Sequence, residues 1–97
     1  MEITRQLQDG QLTLAPQGRI DTVTAPELAA AITLEGVTEL ILDLTAVDYI
    51  SSAGLRVILA TRQKLAASGH KMALKGVRPI VREVFDIVGF SDVLTFI

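Results

Sequence analysis

The segment from Glu39 to Ala67 constrains the fold more than any other part of the chain. It begins with the run ELILDLTAV (39–47), which is rich in Leu, Ile and Val and short enough for one strand. A strand buried on both faces is typical of a parallel sheet covered by helices. Two serines follow, and then residues 53–67 place apolar side chains at helical spacing before Gly69. A central strand that leads into the longest helix is therefore predicted.

Other short apolar runs predict the remaining strands. Alternating apolar and polar residues at 3–7 and 12–15 flank the turn pair Asp9-Gly10, a pattern that indicates a β-hairpin. Segments 71–75 and 93–97 predict two more strands, the second of them at the end of the chain.

Two further helices are predicted. The first covers residues 25–32, because Thr24, Pro26 and Glu27 supply the residues of a capping box with an early helical proline. The second covers residues 79–88 and ends at Gly89. Its expected buried face is the apolar stripe Ile80, Val84, Ile87 and Val88.

The order of elements indicates an α/β fold. It predicts a mixed, mostly parallel sheet of about five strands, with an N-terminal hairpin and three to four helices packed on the sheet. A length of 97 residues suits a single domain covering residues 1–97.

Composition excludes several classes of function. Nine Lys and Arg against 11 Asp and Glu, with no run of like charges, argue against nucleic acid as a partner. The absence of cysteine excludes disulfides, zinc thiolate sites and thiol catalysis. No apolar segment is long enough to insert into a membrane, and the N-terminus lacks a signal pattern, so a cytoplasmic location is expected. The chain also lacks a metal cluster and a glycine-rich phosphate loop, so no cofactor is expected.

Ser51 and Ser52 stand where the longest helix begins. From the residues alone, a serine there is a helix cap, a modification site or a nucleophile. A nucleophile needs a base, and the single histidine, His70, lies about 25 Å away, past the far end of the helix. We therefore expect no enzyme activity. Of the nearby acids, Asp21 is either a turn carboxylate or a partner contact, and Asp43 is expected to bind the backbone of the next turn.

The motifs resemble those of the STAS domain family (sulfate transporter and anti-sigma factor antagonist). The stretch ILDLTAVDYISSAGLRVIL (41–59) is similar to the family signature, in which a strand ending in Asp-Leu-Ser/Thr leads to Asp-Ser-Ser/Thr-Gly-Leu at a helix start. The stretch GRIDTVTAPEL (18–28) resembles the family's Gly-x-Ile/Leu-Asp loop and first helix. The resemblance extends from about Leu12 to Ile97.

This resemblance implies a bacterial regulator of transcription, an anti-sigma factor antagonist switched by phosphorylation. The family's acceptor serine lies two positions before the motif glycine, which is Ser52 here, with Ser51 as the alternative. The chain has Ser51 and Ala53 where the family often has Asp and Ser or Thr. The expected partner-binding residues near the acceptor are Ile20, Asp21, Thr22, Ser51, Ser52, Ala53 and Gly54. Helical spacing adds Arg56, Val57 and Ala60, which belong to the stripe of the longest helix that is expected to face outward.

The resemblance also implies the partners. The unphosphorylated form would bind an anti-sigma factor that is also a serine kinase, and so release a sigma factor, while a Ser/Thr phosphatase would reset the switch. An alternative keeps the fold without phosphorylation, as a constitutive STAS subunit of a lipid-transport ATPase complex or a signalling scaffold.

Overall fold

A computed structural model describes residues 1–97, which form six strands and three helices. The strands are β1 (Ile3–Gln8), β2 (Gln11–Pro16), β3 (Gly18–Ile20), β4 (Glu39–Asp43), β5 (Val47–Ile50) and β6 (Lys71–Lys75). The helices are α1 (Ala25–Ala31), α2 (Ser52–Ala67) and α3 (Pro79–Ile87). The α/β class, the hairpin and the bounds of β6 agree with the sequence-based predictions.

The strands form two connected sheets. The larger has the order β1-β2-β4-β6, in which β1 is antiparallel to β2 and the other pairs are parallel. The smaller is the parallel pair β3-β5. Because β3 follows β2 after one residue, the small sheet extends the β2-β4 pair, and the Gly18 amide donates to the Ala46 carbonyl over 2.9 Å. The predicted mixed, mostly parallel arrangement is confirmed.

The core lies on one face of the large sheet. The side chains on that face are buried together with the helices in a single cluster that includes Leu12, Leu14, Leu40, Leu42 and Leu74. Their neighbours on the opposite face, Thr13, Ile41 and Ala73, are only half-buried. The prediction of a strand buried on both faces is therefore wrong, because the helices cover one face and leave the other to solvent.

The predicted single strand 39–47 is β4 followed by a turn, and β5 begins only at the last residue of the segment. The Asp43 carboxylate accepts hydrogen bonds from the Thr45 hydroxyl at 2.5 Å and the Thr45 amide at 3.0 Å. These bonds, the hydroxyl first, lower the pKa of Asp43, and Lys75 contributes by its charge. The chain turns here, and the amide of Val47, the first residue of β5, donates to the Leu44 carbonyl. The structural role expected for Asp43 is confirmed.

Helix α1 begins without the predicted capping box. The Thr24 hydroxyl donates to the Arg19 carbonyl at 2.6 Å, so it does not cap the helix. The Glu27 carboxylate instead binds the N-terminal ammonium of Met1 at 3.0 Å. Tertiary partners have displaced the local capping interaction.

Helix α3 buries a different face from the one predicted. Val81 and Phe85 are buried, whereas Ile80 is 64% and Ile87 76% exposed. The ring of Phe85 packs edge-on against Phe96, with ring centroids 5.6 Å apart. Burial of Phe85 and its contact with the half-buried Phe96 fix the rotation of the helix.

The C-terminal segment pairs with β6 over a shorter length than predicted. The Leu74 amide donates to the Thr95 carbonyl and the Ile97 amide to the Leu74 carbonyl, each at 2.8 Å. This is a single parallel bridge rather than a strand over 93–97. No helix in the structure has the length and apolar character needed to cross a membrane.

Candidate functional site

The start of α2 lies beside the end of β3. The Ser51 amide donates a hydrogen bond to the Ile20 carbonyl over 2.8 Å, directly after the paired residues Ile20 and Ile50. This bond joins the loop after β3, residues 21–24, to the turn that opens α2. The two signature stretches of the sequence are thus brought together in space.

Gly54 permits this close approach. A Cβ atom at this position would lie 2.6 Å from Ile20 Cγ2 and 2.8 Å from Ile50 Cγ1. Neither distance is compatible with van der Waals packing. The motif glycine is therefore required by contact between the first turn of α2 and the small sheet.

The two serines have different environments. Ser51 is the N-cap of α2, half-buried, and its hydroxyl oxygen accepts a hydrogen bond from the Gly54 amide at 3.4 Å. Ser52 is the first residue of the helix, is exposed, and its hydroxyl forms no hydrogen bond within the chain. The capping role thus belongs to Ser51, which leaves the Ser52 hydroxyl free.

Asp21 orders the neighbouring loop. Its carboxylate accepts hydrogen bonds from the amides of Val23 at 2.9 Å and Thr24 at 3.0 Å. The bond from the Thr24 amide is the largest cause that lowers the pKa of Asp21, followed by the Val23 amide and the Thr24 hydroxyl, while Arg19 adds a smaller charge effect. The structure therefore gives Asp21 the role of a turn carboxylate.

The sequence did not single out two exposed features of this region. Val23 is 75% exposed at the tip of the loop that Asp21 orders. Arg19 lies over the ring of Tyr49, with its guanidinium carbon 4.0 Å from the ring centre, and Tyr49 is 40% exposed. Arg19 of β3 and Tyr49 of β5 are cross-strand partners. Their contact depends on the register of the two strands, which the sequence does not show.

The outer face of α2 borders a groove. Arg56, Val57, Ala60 and Lys64 line it from α2 together with Thr61, and Ala29, Ile32 and Leu34 line it from α1 and the residues that follow. Its volume is about 310 Å³. Both charged residues of the groove are cations. The outward direction expected for Arg56 and Ala60 is confirmed, since both are exposed, whereas Val57 is half-buried.

The residues named from the sequence differ in exposure. Ile20 and Gly54 are buried, so they shape the surface from beneath. Asp21, Ser51, Ala53 and Val57 are half-buried. The exposed members are Thr22, Ser52, Arg56 and Ala60, which with Asp21 we call the helix-start surface.

The chain matches the family model of the STAS domain over residues 2–97. It belongs to the STAS domain family. This STAS domain has no group of three or more His, Cys, Asp or Glu side chains arranged to hold a metal ion.

Relatives of this STAS domain carry consistent names. The Bordetella bronchiseptica protein BtrV, named as an anti-sigma factor antagonist, is 38% identical over 96 residues, which are 96% of this chain and 83% of BtrV. The anti-sigma-B factor antagonist of Listeria monocytogenes is 34% identical over 80 residues, which are 79% of this chain and 70% of the relative.

A solved structure shares the fold of this STAS domain. Unphosphorylated SpoIIAA, an anti-sigma factor antagonist, has a TM-score of 0.84 with 19% identity, covering 99% of this chain and 88% of SpoIIAA. The phosphorylated form of Bacillus SpoIIAA has a TM-score of 0.76 and the same identity, covering 99% of this chain and 91% of SpoIIAA. At this identity the likeness concerns the fold alone.

Proposed function

We propose that this chain is an anti-sigma factor antagonist whose partner binding is switched by phosphorylation of Ser52. The observation that carries the proposal is the division of roles between the two serines. Ser51 caps α2, while Ser52 stands exposed beside it with a free hydroxyl. A kinase can reach such a hydroxyl without unfolding the helix.

A phosphate on Ser52 would weaken partner binding while the stability of the fold changes little. A phosphate adds about -1.5 to -2 charges and three acceptor oxygens. The first turn of a helix offers unpaired amides and a positive partial charge, so the fold tolerates the added anion. A protein packed against the helix-start surface would instead meet a hydrated dianion. The expected result is a domain that stays folded while its partner dissociates.

Membership of the STAS family, with relatives named anti-sigma factor antagonists, supports an anti-sigma factor as the partner. We propose that the unmodified form binds an anti-sigma factor that also acts as the serine kinase for Ser52, and that a Ser/Thr phosphatase removes the phosphate. The chain itself acts by binding and not as an enzyme. The compartment in which this exchange takes place is the cytoplasm.

A phosphorylation assay tests the proposal. The purified chain is incubated with ATP and each candidate anti-sigma kinase encoded in the same genome, and the modified residue is mapped by mass spectrometry. The variants Ser52→Ala and Ser51→Ala serve as a matched pair. We expect phosphate on Ser52 in the wild type and in the Ser51→Ala variant, and none in the Ser52→Ala variant.

Two other outcomes of the assay would change the acceptor or the function. Phosphate on Ser51 alone would move the switch to the alternative acceptor. Phosphate on neither serine, with every candidate kinase, would contradict the switch and favour the constitutive STAS subunit as the function of this chain. The presence of Ser51 and Ala53 beside the acceptor gives that alternative its specific support.

A further inference from the structure

Ser52 and Arg56 lie one helical turn apart on α2. Both are exposed, and residues four apart on a helix occupy the same face. Side chains on a helix lean toward its N-terminus, so the long Arg56 side chain can reach back to the turn that contains Ser52. A group added to the Ser52 hydroxyl would therefore lie within reach of the Arg56 guanidinium.

Arg56 has no partner in the structure. It takes part in none of the ion pairs and donates no side-chain hydrogen bond to another residue of the chain. Arg19, the other arginine near this site, is already engaged, since it lies over Tyr49 and 3.9 Å from the Asp21 carboxylate. Arg56 is thus the cation available to a new anion on Ser52.

We propose that the Arg56 guanidinium pairs with the phosphate when Ser52 is phosphorylated. This inference rests on the proposed function, in which Ser52 carries the phosphate. Arginine suits this role because its planar donors match phosphate oxygens in pairs. In the unmodified chain Arg56 lines the groove between α1 and α2. Phosphorylation would then draw the Arg56 cation away from the groove.

The geometry distinguishes the two serines. Ser51 lies five residues before Arg56 and outside the helix, where its oxygen already accepts the Gly54 amide. Positions five apart on a helix point in clearly different directions, at 3.6 residues per turn. Arg56 is therefore a partner for phosphate on Ser52 and not for phosphate on Ser51.

The test uses phosphoserine introduced at position 52 during translation, so that it needs no kinase. The second pKa of the phosphate is measured by phosphorus NMR titration in the wild type and in Arg56→Gln, Arg56→Lys and Arg62→Gln variants. Arg62 is the matched control, because it lies on the same helix about 15 Å from Ser52 along the axis. Amide spectra establish that each variant is folded.

A nearby cation favours the dianion and so lowers the second pKa of the phosphate. We expect Arg56→Gln to raise it by about half a pH unit, the size typical of an exposed ion pair, and Arg56→Lys to raise it less. Arg62→Gln should leave it unchanged, and added salt should shrink the Arg56 effect.

Equal values for Arg56→Gln and Arg62→Gln would overturn the proposal. So would an equal dependence on Arg56 for phosphoserine placed at position 51. This test does not depend on the proposed function, because phosphoserine is introduced at position 52 whether or not a cognate kinase modifies Ser52. Failure of the pairing and failure of the proposed function can therefore be told apart.

Discussion

The Ser51 amide is hydrogen-bonded to the Ile20 carbonyl over 2.8 Å, so helix α2 begins directly beside the end of β3. One consequence is that the ordered loop after Ile20 and the exposed hydroxyl of Ser52 belong to a single surface. A small chemical change at Ser52 therefore acts on a surface that the backbone already holds in place.

The Gly54→Ala variant is expected to be less stable than the wild type by roughly 1 kcal/mol. Alanine is the better helix former by about 1 kcal/mol. Its Cβ, however, would lie within 3 Å of Ile20 and Ile50, and overpacking of this kind costs typically 1–3 kcal/mol. Urea unfolding measures the difference, with the exposed position Gln63→Ala as the control on the same helix. A Gly54→Ala protein more stable than the wild type by the full helix-propensity gain of about 1 kcal/mol would refute the close contact.

The two serines should separate in stability measurements. Ser51→Ala removes the N-cap and is expected to destabilise the chain by about 0.5–1 kcal/mol, at the lower part of the usual range because its bond is long at 3.4 Å. Ser52→Ala removes an exposed hydroxyl without a partner and should stay within about 0.5 kcal/mol of the wild type. Thermal or urea unfolding of both variants measures the two changes in the free energy of unfolding. The reverse order would show that Ser52, and not Ser51, caps the helix.

Asp21 should make stability depend on pH. Its pKa lies below the usual 3.8, because the Thr24 and Val23 amides bind the carboxylate in the folded chain. The charged form therefore stabilises the fold above the pKa of the unfolded chain, and this stabilisation is lost as the pH falls through the lower, folded pKa.

The variant Asp21→Asn keeps an acceptor oxygen and removes the charge. We expect it to be less stable than the wild type at pH 7, with the difference shrinking as the pH falls below the usual carboxyl pKa of 3.8. Urea unfolding of both proteins at several pH values measures this, with Thr22→Ala as a control in the same loop. A difference that stays constant with pH would exclude the carboxylate as its cause.

The rotation of α3 is testable by a pair of truncations. Phe85→Ala removes a buried ring and is expected to cost about 3–5 kcal/mol, whereas Ile80→Ala at an exposed position should stay within about 0.5 kcal/mol. If the Phe85→Ala chain fails to fold, Phe85→Leu gives a milder form of the same loss. A larger loss for Ile80→Ala than for either Phe85 variant would support the face predicted from the sequence.

Much of the fold was predictable because local patterns and tertiary structure agree. The turn pair Asp9-Gly10 marked the hairpin, and the run at 71–75 matched β6 at both ends. The single strand predicted for segment 39–47 is wrong because the apolar run continues through a turn that the Asp43 side chain stabilises. Such a side-chain bond leaves no signal in hydrophobic periodicity.

Helix α3 shows a second limit. Its residues are mostly apolar, so two overlapping stripes, one with Ile80 and one with Phe85, satisfy a helical period equally well. Which of the two stripes is buried depends on Phe96, near the end of the chain, whose ring packs against that of Phe85.

The candidate site was also predictable only as far as local sequence patterns reach. Its motif stretches were visible in the sequence, but the assignment of the cap to Ser51 and the burial of Ile20 required the backbone geometry. When two serines stand in succession before a helix, the local sequence does not show which of them is the N-cap. The pairing of Arg19 with Tyr49 likewise depends on strand register.

The most direct test of the central claim compares unmodified and Ser52-phosphorylated protein in two measurements on the same samples. Calorimetric titration gives the affinity for the cognate anti-sigma factor, and thermal unfolding gives the stability of the fold. We predict that phosphorylation weakens binding by roughly 100-fold or more, since several kcal/mol are lost when a dianion meets the partner, while the unfolding temperature changes little. Equal affinity of the two forms, or loss of binding only because the phosphorylated chain unfolds, would contradict the claim.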